Sequence, residues 1–194
     1  KCLSTALKCN CKIEAVINLI ICNMSFNTVN AVNAVYNNDV KRYVRGGAIY
    51  VAGVPKLVIT GGSFTSNEQI EYTSYKKYGG GAIYSVAEVS MFDVTFSGNE
   101  AYNGGALGFE GAINCTDCTF SENGGQYGAA ISGTSSPSFI GCKFTGNKSD
   151  IHGGVIYANK ATSEITFREC EFTQNSSVDN GGVGLGRGTN CAEW

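Results

Sequence analysis

The sequence has little charge, little proline and a single histidine. Charged residues make up 15% of the 194 positions, against a usual quarter, and the formal net charge is −2. That balance gives no electrostatic reason to expect a nucleic acid or an anionic membrane as partner. The longest apolar run, from Val16 to Cys22, is too short to span a bilayer as a helix. The histidine, His152, stands before Gly153 in an expected turn. No Ser-His-Asp or Cys-His arrangement accompanies it, so it reads as a surface residue. Two prolines beside 26 glycines fit a compact, turn-rich all-β chain better than a helical one. The sequence opens at Lys1 without a leader pattern, as expected of a mature form or a fragment.

Cysteine and Asn-x-Ser/Thr are abundant. Nine cysteines accompany four glycosylation sequons, starting at Asn23, Asn114, Asn147 and Asn175. Together they point to an oxidising, extracellular setting.

Two markers recur in one order. Phe-x-x-Asn occurs at Phe64-Asn67, Phe96-Asn99, Phe120-Asn123, Phe144-Asn147 and Phe172-Asn175. A small-residue pair followed by a small and usually an aliphatic residue occurs at Gly46, Gly80, Gly104, Gly128, Gly153 and Gly181. The shortest spacing gives a unit of about 24 residues with insertions. Units aligned on the phenylalanine show apolar columns. Seven positions earlier stand Leu19, Leu57, Val89, Ile113, Pro137 and Ile165; five earlier stand Ile21, Ile59, Met91, Cys115, Phe139 and Phe167. Two earlier stand Met24, Gly62, Val94, Cys118, Cys142 and Cys170. Alternation means strands with one buried face. It breaks at a polar or glycine column, Asn23, Gly61, Asp93, Asp117, Gly141 and Glu169, which marks a corner.

Each unit thus reads as three short strands. The first carries the buried knobs Ile49, Ile83, Leu107, Ile131 and Ile156, and the third ends at the phenylalanine. Such a unit cannot bury its own apolar face, but stacked units share a continuous core. The expected fold is all-β, a single-stranded right-handed parallel β-helix of six to seven rungs, roughly 30 Å long at about 4.8 Å per rung. Phe64, Phe96, Phe120, Phe144 and Phe172 should pile up inside. Asn67, Asn99, Asn123, Asn147 and Asn175 should form a corner ladder of stacked amides.

The repeated GGAI at Gly46 and Gly80, GGAL at Gly104, and the series FTSN, FSGN, FSEN, FTGN and FTQN resemble the repeats of the polymorphic outer membrane proteins of chlamydiae. The likeness covers about residues 46 to 186. It implies a β-helical, surface-exposed passenger region linked with adhesion. Departures are GAAI at Gly128, GGVG at Gly181 and the lack of Phe-x-x-Asn at Phe26.

The expected organisation is a Cys-rich cap over residues 1–20, a coil over 21–186 and a tail over 187–194. Cys2, Cys9, Cys11 and Cys22 suit two disulfides in the cap. Cys118, Cys142 and Cys170 fall in one buried column and are either disulfide candidates or thiols packed as small hydrophobes. Cys115-x-x-Cys118 has redox spacing, but both side chains should point inward, without a helix N-terminus to activate them. Insertions at 31–45 and 68–79 leave from one corner. Tyr72, Tyr75, Lys76, Lys77 and Tyr78 make the second a candidate contact loop, set against a simple cover for the first rungs. Asn23, placed at a corner, and Asn114, placed outward, are the stronger glycan candidates. Asn147 and Asn175 belong to the ladder and are weaker ones.

No metal or cofactor site is expected. A polysaccharide-cleaving enzyme of the pectate lyase type would need clustered carboxylates with basic partners. Asp93, Asp117 and Glu169 share a column, but Gly141 interrupts it. An ice-binding solenoid would show a flat threonine face, whereas Thr65, Ser97, Ser121, Thr145 and Thr173 read as one column at a corner. The reading is a non-catalytic extracellular scaffold, either a segment that joins end to end into a filament or an adhesive surface. Its partners would be other copies or further β-helix through the ends, and host cell or glycan ligands.

Overall fold

A computed structural model describes residues 7–10, 17–20, 23–25, 28–30, 46–70, 79–158 and 164–186. Each circuit of the chain contributes strands to four parallel sheets. The first sheet stacks Leu7–Asn10, Ile49–Ala52, Ile83–Ser85, Leu107–Phe109, Ile131–Gly133, Ile156–Ala158 and Gly184–Gly186. The second stacks Ile17–Ile20, Lys56–Thr60, Glu88–Phe92, Ile113–Thr116, Ser138–Ile140 and Thr166–Arg168. The third stacks Asn23–Ser25, Ser63–Thr65, Thr95–Ser97, Thr119–Ser121, Lys143–Thr145 and Glu171–Thr173. The fourth stacks Thr28–Asn30, Glu68–Ile70, Glu100–Asn103, Gly124–Tyr127, Lys148–His152 and Ser176–Ser177. The pairing Phe96↔Phe120↔Phe144 sets the 24-residue period directly.

The fold is the expected parallel β-solenoid, but with four strands per circuit rather than three. The fourth strand lacks an apolar alternation. Its inward column is Gln69, Ala101, Gly125, Ser149 and Ser177, which are small or polar. A strand of that composition carries no period-2 hydrophobic signal.

Phe-x-x-Asn is a complete corner device. The phenylalanine centres a three-residue strand and points inward. The next residue points out. The third, Ser66, Gly98, Glu122, Gly146 or Gln174, has a positive φ between 52° and 65°. This left-handed residue turns the chain into the fourth strand, and the asparagine follows it into the wall. The preceding corner is built alike, with Asp93, Asp117 and Glu169 at φ of 54–55° and Gly61 and Gly141 at 67° and 62°. Left-handed backbone disfavours β-branched residues, and none stands at either corner in the five units from Gly61 onward.

Inside, Phe64, Phe96, Phe120 and Phe144 are fully buried. Neighbouring rings lie 5.0 Å apart and within 7° of parallel, close to the spacing of the rungs. Ile49, Ile83, Leu107, Ile131 and Ile156 fill the facing wall, as expected. One column alternates large and small. Phe109 lies between Ser85 and Gly133, and a β-carbon on Gly133 would come within 2.6 Å of three Phe109 ring carbons. Gly133→Ala should therefore lower stability by about 1–3 kcal/mol through overpacking. A urea midpoint unchanged from the parent would refute that fit.

The coil begins earlier than the expected cap allows. Leu7–Asn10 pairs with Ile49–Ala52, and Ile17–Ile20 with Leu57–Thr60, so parts of residues 1–20 already belong to the sheets. The first unit is also offset by two positions. Met24, not Phe26, stands opposite Phe64, and Leu19 stands opposite Ile59 rather than Leu57. Phe26 drew the alignment because it is aromatic, whereas Met24 takes the marker position and is followed three residues on by Asn27. Asn23 lies in a strand opposite Ser63, not at a corner. Glu68–Ile70, the start of the expected insertion at 68–79, is instead a strand of the fourth sheet. Residues 31–45, the loop tyrosines and lysines Tyr72, Tyr75, Lys76, Lys77 and Tyr78, and Cys2, Cys11, Cys22 and Cys191 lie outside the described residues.

Candidate functional surfaces

The asparagine column is a continuous amide ladder. The Nδ2 groups of Asn67, Asn99, Asn123 and Asn147 each donate to the Oδ1 of the next asparagine at 2.9–3.0 Å. The same Oδ1 accepts the backbone N–H of the preceding asparagine at 3.0–3.1 Å. The second Nδ2 hydrogen reaches back to a phenylalanine carbonyl one rung before, as from Asn123 to Phe96 at 3.1 Å and from Asn147 to Phe120 at 3.0 Å. Every hydrogen-bonding position of the interior amides is used, which is what burial requires. These groups have no capacity left for catalysis. Asn147 is fully buried and donates both amide hydrogens, so it cannot carry a glycan in the folded chain. Asn114 points outward and is exposed on the second sheet.

The corner carboxylates serve the backbone. Asp93, Asp117 and Glu169 hold left-handed positions, and Gly141 lies beneath the Asp117 carboxylate, where an added β-carbon would strike Oδ1. Among the described residues, no three His, Cys, Asp or Glu side chains are grouped closely enough to hold a metal ion. Two ion pairs bridge neighbouring rungs, Lys56–Glu88 at 2.8 Å and Lys143–Glu171 at 3.3 Å. The residues of each pair stand directly opposite each other across the sheet. As exposed cross-strand pairs they contribute about 0.2–1 kcal/mol each.

Two surface features were hidden in the sequence. The hydroxyl column is not at a corner but within the third sheet, where a second column runs beside it. Ser63 and Thr65, Thr95 and Ser97, and Thr119 and Ser121 face outward in register over three rungs. Lys143 and Glu171 interrupt the second column beyond that. His152 is no isolated surface residue. It ends a strand, half-buried, with its ring 5.6 Å from Tyr127 and 6.3 Å from Tyr157, and its Nδ1 lies 3.4 Å from Asn180 Nδ2. Tyr102 extends this aromatic cluster, 5.6 Å from Tyr127.

The whole sequence from residue 9 to residue 192 matches the family described as right handed beta helix region. The chain belongs to that family. No curated protein and no solved structure matches it. The family assignment fixes the hand of the coil, which parallel pairing alone leaves open.

Four cysteines stand as free thiols on the inner side of this β-helix, Cys115 in the second sheet and Cys118, Cys142 and Cys170 at the entry to the third. Cys115, Cys118 and Cys142 are buried, and Cys170 is partly so. A hydrogen bond with Cys115 raises the Cys118 thiol pKa above its ordinary value, and a hydrogen bond with Cys118 does the same for Cys142. Burial raises Cys115 and Cys170. A thiol so disposed is a poor nucleophile, so Cys115-x-x-Cys118 lacks the activation that a redox-catalytic pair requires.

The C-terminal side of the stack differs from its middle. Phe167, Cys170 and Phe172 continue the inner columns but are only partly buried. Asn175 donates to Phe144 O at 2.8 Å and accepts from Asn147. Among the described residues no further asparagine receives its remaining amide hydrogen.

Proposed function

We propose that this β-helix is a non-catalytic extracellular scaffold that joins end to end with further copies of itself. The observation that supports the reading is the last described asparagine rung. Asn175, Phe172 and Phe167 repeat the geometry of the interior rungs but are only partly buried among the described residues. A strand edge of this kind is a template for another strand. The first rung supplies a matching partner, since Leu7–Asn10, Ile17–Ile20, Asn23–Ser25 and Thr28–Asn30 enter the same four sheets in the same order. A head-to-tail contact of this type is heterologous and propagates into a filament. The exposed sequon at Asn114 supports a secreted glycoprotein.

Electron microscopy and sedimentation of the chain secreted from eukaryotic cells test this. Fibres should form in a concentration-dependent way, and Phe172→Asp should weaken association at least about tenfold by burying a charge at the junction. Peptide mapping should place a glycan on Asn114 and none on Asn147. A parent chain that stays monomeric at every concentration would refute assembly through copies. It would favour further rungs of the same polypeptide, or the adhesive reading, which deletion of residues 71–78 addresses while leaving every described strand in place.

One observation favours a second reading, ice binding. Three consecutive rungs of paired hydroxyls stand in register on the third sheet. Thermal hysteresis that Thr95→Glu abolishes would establish it, and its absence in the parent chain would remove it.

A further inference from the structure

Cys118, Cys142 and Cys170 stand one above another on consecutive rungs, each one residue before a strand of the third sheet. Backbone bonds lock that register. Lys143 N–H donates to Cys118 O and Glu171 N–H donates to Cys142 O, both at 2.9 Å. Stacked residues of paired parallel strands lie about 4.8 Å apart, inside the Cα window of about 4.4–6.8 Å that a disulfide accepts. The thiols reach back along the stack. Cys142 Sγ lies 3.6 Å from Cys115 O, and Cys170 Sγ lies 3.5 Å from Phe139 O. Among the described residues the column is open at one member only. Cys118 and Cys142 have no exposed surface, whereas Cys170 is partly exposed.

We propose that Cys142 and Cys170 are an oxidative modification site, forming an inter-rung disulfide when the chain meets a low-molecular-weight disulfide. This does not rest on the assembly reading. In the first step the Cys170 thiolate attacks one sulfur of the reagent. The reagent's S–S bond breaks, a mixed disulfide forms on Cys170, and one thiolate leaves and takes up the proton that Cys170 lost. In the second step Cys142 gives up its proton and attacks the Cys170 sulfur. The protein disulfide forms, and the second small thiolate leaves and is protonated. Two protein thiols are oxidised and one small disulfide is reduced to two thiols. Raised thiol pKa values keep the thiolates scarce, so the rate should rise with pH and with opening of the last rung. Cys118–Cys142 is the poorer pair because no reagent reaches either member in the folded wall. Once made, the bond staples strand Glu171–Thr173, the outermost of its sheet, to the rung beneath.

The test treats the folded chain with oxidised glutathione at mildly alkaline pH and, separately, refolds it in a glutathione buffer. Cleavage after Glu110, Glu122 and Glu164 separates Cys115 and Cys118 from Cys142, and Cys142 from Cys170. Mass spectrometry should find Cys142 linked to Cys170, with the link kept in Cys118→Ser and lost in Cys170→Ser. Because Cys170 is only partly buried, the Cys170→Ser chain should stay folded. The urea midpoint of the parent should rise on oxidation and fall back with reductant, and that of Cys170→Ser should not move. A Cys118–Cys142 link, glutathione retained on Cys170, or four unmodified thiols in both arms would each overturn the proposal.

Discussion

Asn123→Ala should destabilise the coil by roughly 3–5 kcal/mol, among the largest effects that one polar side chain can have here. The side chain ties three rungs together. Its Oδ1 accepts two hydrogens from Asn99, and its Nδ2 donates to Phe96 O and to Asn147 Oδ1. Alanine leaves two donors of Asn99 without an acceptor in a fully buried site, and each orphan costs about 1–3 kcal/mol. Asn123→Asp should be worse at neutral pH. The carboxylate keeps the acceptors but loses both donors, and it places a negative charge opposite Phe96 O and Asn147 Oδ1. Burial beside acceptors disfavours ionisation, so the folded pKa of such an aspartate stands above its unfolded value near 3.9. The folded state then binds the proton more tightly. Stability is greatest below the unfolded pKa and falls as pH rises through the folded one. Urea denaturation of the two variants between acid and neutral pH checks both claims. A variant Asp whose stability rises with pH across that range would show that the ladder does not bury the group. In a solenoid each rung contacts only its neighbours, so a fault at Asn123 uncouples two halves, whereas the same fault at Asn175 frays one end.

The ladder could be read from the sequence, because Asn must recur at a fixed offset from an inward phenylalanine to satisfy buried turn backbone. The corner columns were equally plain, since Asp93, Asp117 and Glu169 break the alternation of their strands at one place. The fourth strand was not. A wall made from Gln69, Ala101, Gly125 and Ser149 offers no hydrophobic contrast, and without contrast periodicity carries no information. Without that strand the residue after each phenylalanine falls at a corner, and a two-column hydroxyl face reads as one column. The first unit misled for a related reason. Met24 and Phe26 are both apolar and two apart in the sequence, and only the pairing of Met24 with Phe64 distinguishes them. The aromatic neighbours of His152 come from different rungs and two sheets, a proximity that no local spacing encodes.

Phe120→Ala should cost about 3–5 kcal/mol, and the same change at Phe172 should cost less in the dispersed chain. Phe120 is fully buried and stacks at 5.0 Å on both Phe96 and Phe144, with Phe139 edge-on at 6.4 Å. Removing the ring opens a void between two aromatic faces that the backbone ladder holds a rung apart, so the wall cannot collapse to fill it. The loss comprises the transfer term, the cavity term and three aromatic contacts, two stacked and one edge-on. A cycle with Phe144→Ala should therefore show coupling of about 0.5–1.5 kcal/mol. Phe172 has Phe144 stacked at 5.1 Å on one side and Phe167 edge-on at 5.0 Å, and is only partly buried otherwise. In the dispersed chain it gives up one stacked neighbour and some area that water already reaches. In a filament its outer face would be covered by the first rung of the next copy, where Met24 occupies the phenylalanine column. The cost of Phe172→Ala should then grow with protein concentration, while that of Phe120→Ala stays constant. Denaturation midpoints measured for both variants across the assembly range separate the two cases. Equal, concentration-independent costs would mean that the C-terminal rung is already covered as the interior rungs are, and the end-to-end contact would lose its surface.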